Sequence, residues 1–311
     1  MSASTLNSVA SVRYRVTHQT RYTYQSLVTL SQQYLHLSPR SFAYQQTELH
    51  QAWSTPQGEE SSDGLDYFGN GIQRITITVP HKTLLVHAES TVTLTPRHGL
   101  GRISATLPWE MLRDMMQQAG APSTQEAYRY LYASPHVELS SALQSYASKS
   151  YTPGRPQLDA ALDLTQRIFD EFEFDSHATE ISTPLDQVLK GRRGVCQDFS
   201  HLMIGCLRSI GLPARYVSGY ILTHPPAGQP RMIGADASHA WVAVFCPGLG
   251  WVDFDPTNRC LVQQEHITLG WGRDFSDVTP LRGVVLGGAK HKLQVNVTVT
   301  PLALPTGVTA A

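Results

Sequence analysis

The chain has 311 residues, of which 41% are hydrophobic and 16% charged. At roughly 150 residues per domain that length implies about two domains, each able to bury a core without metal or disulfide staples. Lys and Arg number 24 against 25 Asp and Glu, a formal charge of -1, so no global basic field exists to recruit nucleic acid or an anionic membrane.

The N-terminal residues 1–7 carry neither the cationic start nor the apolar stretch of a secretory signal. The uncharged run from Leu293 to Ala311 is too polar to insert in a bilayer. A cytoplasmic location is expected, with neither nucleic acid nor membrane as partner. Cys196, Cys206, Cys246 and Cys260 form no C-x-x-C pair, so in that compartment they are expected to stay thiols.

Period-two alternation marks half-buried strands through the first hundred residues. Val12, Tyr14 and Val16 alternate with Arg13, Arg15 and Thr17; Ile75, Ile77 and Val79 alternate with Thr76 and Thr78; Val92 and Leu94 are flanked by threonines. Residues 1–105 therefore read as an all-β, sandwich-like domain. Asn70-Gly71 predicts a two-residue hairpin turn, and His81, His87 and His98 read as solvated strand or turn residues. From Trp109 the period becomes helical, through Met111, Leu112, Met115 and Met116, and Pro122 and Pro135 break residues 106–150 into a helical connector. After Pro156, Leu158, Leu162, Thr165, Phe169 and Phe172 predict a longer helix with one apolar stripe.

The chemistry concentrates between Gly194 and Asn258. Phe199, Leu202, Met203, Cys206, Leu207 and Ile210 trace a buried amphipathic helix that Gly211 and Pro213 end. Cys196 falls in its first turn, where unpaired N–H groups and the positive end of the helix dipole favour a thiolate. Gly194 is placed for a sharp turn into the helix. Asp198 in that turn reads as a cap. Two strands follow, over 215–222 and 239–246, and then Trp251 to Pro256, with Gly248 and Gly250 predicting a hairpin that sets an aspartate, Asp253 or Asp255, beside His239. Cysteine, histidine and aspartate in that order supply a nucleophile, a base that also serves as acid, and a group that orients the imidazole. Cys206, Cys246 and Cys260 read as small core residues. His201, Gln197, Tyr220 and Arg273 are weaker candidates for the cleft.

Three segments resemble the core motifs of the bacterial transglutaminase-like superfamily: Gly194 to Phe199, Asp236 to Trp241, and Trp251 to Thr257. The start of the chain, with Tyr14, Thr17, His18, Thr20, Tyr22, Tyr24 and Asp66-Tyr67-Phe68-Gly69-Asn70, resembles the β-rich N-terminal domain that accompanies this core. Gly272 to Val278 resembles its C-terminal segment. The resemblance implies an α+β fold, with a papain-like transglutaminase core over 151–265 and a C-terminal β extension over 266–311. It implies Cys196 as nucleophile, His239 as base and acid, and Asp255 as orienter; Cys196 with His201 or His239 has no zinc-ligand spacing, and no cofactor and no metal are expected. Thiol-dependent acyl transfer on a carboxamide or peptide bond follows from it, as cysteine protease, amidase or protein-glutamine transglutaminase. The partners it implies are a protein or peptide substrate and an amine acceptor. The alternative is a peptide-binding module that keeps the fold without turnover. No tryptophan stands between Trp109 and Cys196, and Phe172-Glu173-Phe174 stands where bacterial members often place an aromatic-x-Tyr pair, so the oxyanion hole is expected to rest on backbone N–H groups. The Pro- and Gly-rich loop from Thr223 to Ser238 is expected to gate the substrate.

Overall fold

The computed structural model describes residues 10–97, 100–118, 122–180, 182–224 and 237–304. Period-two alternation runs much further than its first six residues: β1 (Val12–Leu35) is one strand of 24 residues. It is followed by β2 (Gln45–Thr55), β3 (Glu60–Leu65), β4 (Gly71–Ile77) and β5 (His81–Leu94). The helical stretch holds α1 (Trp109–Gln117), α2 (Pro122–Tyr128), α3 (Ser141–Ser148) and α4 (Gln157–Glu171). Next come the two-residue β6 (Glu173–Phe174), then α5 (Leu185–Gly191), the equally short β7 (Arg193–Gly194), and α6 (Cys196–Ser209). The chain continues with β8 (Ala214–Ile221), β9 (Ala237–Cys246), β10 (Gly250–Asp255), β11 (Cys260–Leu261), β12 (His266–Gly272), β13 (Leu281–Gly287) and β14 (His291–Leu302).

β1 is the spine of a seven-stranded antiparallel sheet. Its first half pairs with β5 on one side and β14 on the other; past a register shift between Thr23 and Val28 its second half pairs with β4 and β13. One apolar cluster takes Tyr24, Val28, Ile77, Leu84, Val86 and Leu281 from strands paired with both halves, so the two halves share one core in this β-rich region.

The second sheet has the antiparallel order β11-β10-β9-β8-β12. β8 and β9 are buried on both faces and read as nearly continuous apolar runs, because α6 covers one face and the β domain the other. Tyr220, Leu222, Ile267 and Leu269 from this sheet meet Tyr14, Val16, Val92, Leu94, Val297 and Val299 from the first. Helix α6 is buried on every side from Asp198 to Arg208, more completely than its amphipathic pattern predicts. Leu143, Tyr146, Leu158, Leu164 and Leu185, on α3, α4 and α5, share its cluster.

Several local expectations are corrected. The β3–β4 turn is the five-residue segment 66–70, with the positive φ at Gly69. Asn70 is instead buried, its side chain donating to Asp66 Oδ2 (2.7 Å) and the Trp271 carbonyl (2.9 Å) and accepting from Trp271 N (3.0 Å), a tie between the two sheets. Strand β4 stops at Ile77, leaving Val79 exposed. His81 is buried against Tyr24 rather than solvated, half-buried His87 stacks on Trp53, and His98 lies outside the described residues. In α4 the buried stripe runs through Leu158, Ala161, Leu164, Thr165 and Ile168, so Phe169 faces out: Ala161, Leu164 and Ile168 set the buried face about one residue away from the predicted one. Within the expected C-terminal extension, the described residues 266–304 divide between the two sheets. Strand β12 completes the core sheet, and β13 and β14 return to β1.

Candidate active site

The turn ahead of Cys196 is built from side chains that leave its thiol at the open end of a buried helix. Val195 is extended and offers no side-chain cap. Asp198, three residues on, reaches back instead: its Oδ2 accepts from Val195 N (2.8 Å) and from the Thr179 hydroxyl (2.6 Å). Burial pushes the Asp198 carboxyl up, against those two hydrogen bonds. A Cβ on Gly194 would lie 2.8 Å from the Asp198 Cβ, so only glycine leaves room for this cap. The segment 173–175 is clasped alongside, with β6 parallel to β7 and Asp175 N donating to the Gly194 carbonyl at 2.9 Å.

Cys196, first residue of α6, is half-buried. The N–H groups of the first helical turn have no partner within the helix by geometry, so those of Cys196 and Gln197 face the same end as the thiol. The thiol hydrogen-bonds the imidazole of His239, on β9. On β10, Phe254 pairs with Val242, which sets Asp255 diagonal to His239 across the hairpin. His239 Nε2 donates to Asp255 Oδ2 at 2.7 Å, leaving Nδ1 for the thiol. His239 is 7% exposed and Asp255 is fully buried. Burial alone would lower the imidazole, but the hydrogen bonds with Asp255 and Cys196 outweigh it and raise His239 to about 10. For Asp255 burial pushes upward, and hydrogen bonds from His239 and His266 override it and hold the carboxyl well below the usual range.

The structure brings Cys196, His239 and Asp255 together, and of the two aspartates the sequence left open it is Asp255 that meets the imidazole. Asp253 is buried and held by Trp241 Nε1 (3.2 Å) and Arg97 (2.9 Å). Tyr220 is buried in the seam between the sheets, its hydroxyl 2.9 Å from His18 Nδ1. Arg273 pairs with Asp277, and His201 Nε2 accepts from Phe275 N at 3.1 Å, so neither reaches the thiol's partners. Asp236, part of the histidine motif, and most of the loop from Thr223 to Ser238 lie outside the described residues.

Two residues join the site that the sequence reading did not assign. Asn258 donates its side-chain N–H to Asp255 Oδ2 (2.7 Å) and its backbone N–H to Oδ1 (3.2 Å), which Thr257 N also reaches (2.9 Å). His266, opening β12, brings Nε2 to 3.0 Å from the same Oδ2. His239 Nε2, Asp255 Oδ2 and His266 Nε2 all lie within 4.8 Å of one another, a spacing a metal could bridge. Each of these atoms is engaged in the hydrogen bonds just given, and a metal would take His239 Nε2 from its carboxylate. The only signal for His266 in the sequence is a histidine that opens an apolar strand.

A cleft of about 650 Å³ opens beside His239, with Phe174, Leu222, Asn258, Cys260, Glu265 and His266 in its wall. Phe174, from the segment clasped to Gly194, is 59% exposed there. Cys260 is thus a wall residue rather than core. Burial, with Asp255 and Glu265 nearby, pushes its thiol up to about 12; burial pushes Cys246 up to about 11 and Cys206 higher still.

A cysteine at the start of a buried helix, hydrogen-bonded to a histidine that a buried aspartate holds from an antiparallel sheet, defines an α+β fold of the papain-like thiol class. Residues 144–256 match the family described as the transglutaminase-like superfamily, and residues 14–93 match the bacterial transglutaminase-like N-terminal region. An uncharacterized protein of Mycobacterium tuberculosis is 40% identical over 296 residues, 93% of each chain. One from Mycobacterium leprae is 31% identical over 294 residues, 94% of this chain and 99% of that one. The chain belongs to the bacterial transglutaminase-like superfamily. A protein-glutamine gamma-glutamyltransferase of Pseudomonas aeruginosa is 37% identical over 86 residues, 27% of this chain and 13% of that protein. Among solved structures, a Cytophaga hutchinsonii protein described as a candidate cysteine protease shares the fold at a TM-score of 0.74 with 20% identity, over 96% of this chain and 93% of that one.

Proposed function

We propose that the protein catalyses acyl transfer through a thioester on Cys196, with a carboxamide or peptide bond as acyl donor. The observation that carries this reading is the Cys196–His239–Asp255 constellation, in which the thiol's partner imidazole is held charged near neutral pH by a buried carboxylate. The Cys196 sulfur adds to the acyl carbon, and the N–H groups of Cys196 and Gln197 hold the oxyanion. The C–N bond then breaks, and His239 gives its proton to the departing amine or ammonia. The neutral imidazole next takes a proton from water or a primary amine, which attacks the thioester, and the C–S bond breaks to restore the thiolate and imidazolium. Asp255 stays ionised throughout and keeps the imidazole aligned. This chemistry needs a reduced thiol, which accords with a cytoplasmic location.

The chain's similarity to a protein-glutamine gamma-glutamyltransferase favours glutamine side chains as donors, within a protein or peptide that the open cleft can admit. The test is product mass after incubation with a glutamine-containing protein and a primary amine. Amine adducts identify a transglutaminase, a gain of about one mass unit identifies deamidation, and shorter chains identify a protease; Cys196→Ala is expected to abolish whichever is seen. Turnover that survives Cys196→Ala overturns the thioester. Peptide binding without any product, unchanged in Cys196→Ala, replaces it with a binding module.

A further inference from the structure

The Asp255 carboxylate accepts five hydrogen bonds. Three come from Thr257 and Asn258, in the segment that follows β10, and these move with Asp255 if that segment shifts. A fourth comes from His239, the group being oriented. The fifth, from His266 Nε2, is the one donor among the described residues that lies outside both that segment and the imidazole being oriented, and it comes from β12, beyond β9 and β8 in the sheet.

His266 is costly to hold where it is. It is 5% exposed, and its second ring nitrogen, Nδ1, is buried with no hydrogen-bond partner. An orphaned buried polar atom weakens a fold, and an apolar side chain of similar volume would pack there without the penalty. The surroundings nonetheless fix this ring. Trp241 meets it edge to face at 5.2 Å, and Trp241 itself lies over Gly219, where a Cβ would come 2.4 Å from the indole. A side chain at 219 would displace the indole and release the imidazole.

We propose that His266 is a positioning residue: it donates Nε2–H to Asp255 Oδ2 from β12, holding the carboxylate so that His239 presents Nδ1 to Cys196. The assignment rests on the thiol reading above. Nε2 must carry a proton, because the carboxylate only accepts. The titratable groups facing this cluster among the described residues are Cys196, His224, His239, Cys260 and Glu265, with His224 paired to Glu265 at 2.8 Å.

The test uses the full chain and iodoacetamide, with the rate at each of the four cysteines resolved by peptide mass spectrometry at pH 6. His266→Phe keeps the ring's volume without the donor; His266→Gln keeps a donor at nearly the same place. Cys196 alkylation is expected to slow on the order of tenfold or more in His266→Phe, with melting temperature held or raised, and to recover most of its rate in His266→Gln. A His266→Phe protein that alkylates at the wild-type rate overturns the proposal, as does an equal loss in both variants. If His266→Phe does not fold, the ring nitrogens of the wild-type protein decide by NMR: a proton on Nε2 that Asp255→Asn disturbs supports the role, and a proton on Nδ1 alone overturns it. The two readings fail differently. A wild-type Cys196 that reacts as an ordinary thiol, indifferent to His239→Ala, removes both; a primed Cys196 indifferent to His266 removes only this one.

Discussion

At the scale of single residues, the site is a buried charge pair set against a half-exposed thiol. His239 is held protonated to about pH 10 in the folded chain and to about 6.5 when unfolded, so the folded state binds the extra proton between those values. Its contribution to stability is fully present below about pH 6.5 and is lost as the pH rises through about 10. Scanning calorimetry of wild type against His239→Gln should therefore show a gap in melting temperature at pH 6 that narrows toward pH 10; a gap independent of pH would show that the imidazole is not held charged. The grouping of Cys196, His239 and Asp255 was legible because each sits in a short motif whose meaning depends on neighbours in sequence. His266 was not, since its role depends on Asp255 across three strands. Asp253 shows the limit of alternation alone: it gives Asp253 the same face as Asp255, the resemblance implies Asp255, and the buried contacts of Asp253 with Trp241 and Arg97 show where the other carboxylate goes.

At the scale of elements, α6 carries the thiol and must start at one defined residue. Its start is fixed by Asp198, which both caps Val195 N–H and ties down Thr179. Asp198→Ala should cost about 1 kcal/mol of stability, within the range of roughly 0.5–2 kcal/mol seen for lost caps, measured by urea denaturation. The capping role of Asp198 could be read from its place in the first turn, but the demand on Gly194 could not. The sequence predicts a sharp turn there; the structure shows an ordinary backbone angle and a need for space, with Asp198 occupying the volume a side chain would take. The misplaced β3–β4 turn has a similar cause. Asn70-Gly71 has the local chemistry of a hairpin, and the buried amide of Asn70 is instead committed to Trp271, about two hundred residues away in sequence.

At the scale of the whole molecule, the β domain and the core are joined by an apolar seam, with strands of one sheet laid on β8 and β12 of the other. Leu269, 3% exposed in that seam, should cost roughly 2–5 kcal/mol on truncation to Ala, and unfolding followed by far-UV circular dichroism and by tryptophan fluorescence should stay a single coincident transition. Two separated transitions would mean that the seam is not a shared core. The passage from strands to helices near Trp109 was legible from the change of period. The return of β13 and β14 was not, because alternation identifies a strand and says nothing of its partner. That return has a consequence for how the protein is made. β1 leaves the ribosome long before β14, which covers one side of it from Arg13 to Tyr24. At roughly 5–20 residues per second the delay is on the order of tens of seconds. During that interval the unpaired edge of β1 is open to other strands, so the nascent chain is at its most aggregation-prone while the thiol-bearing core is still being synthesised, and chaperone holding of β1 should raise the yield of soluble protein more than any later intervention.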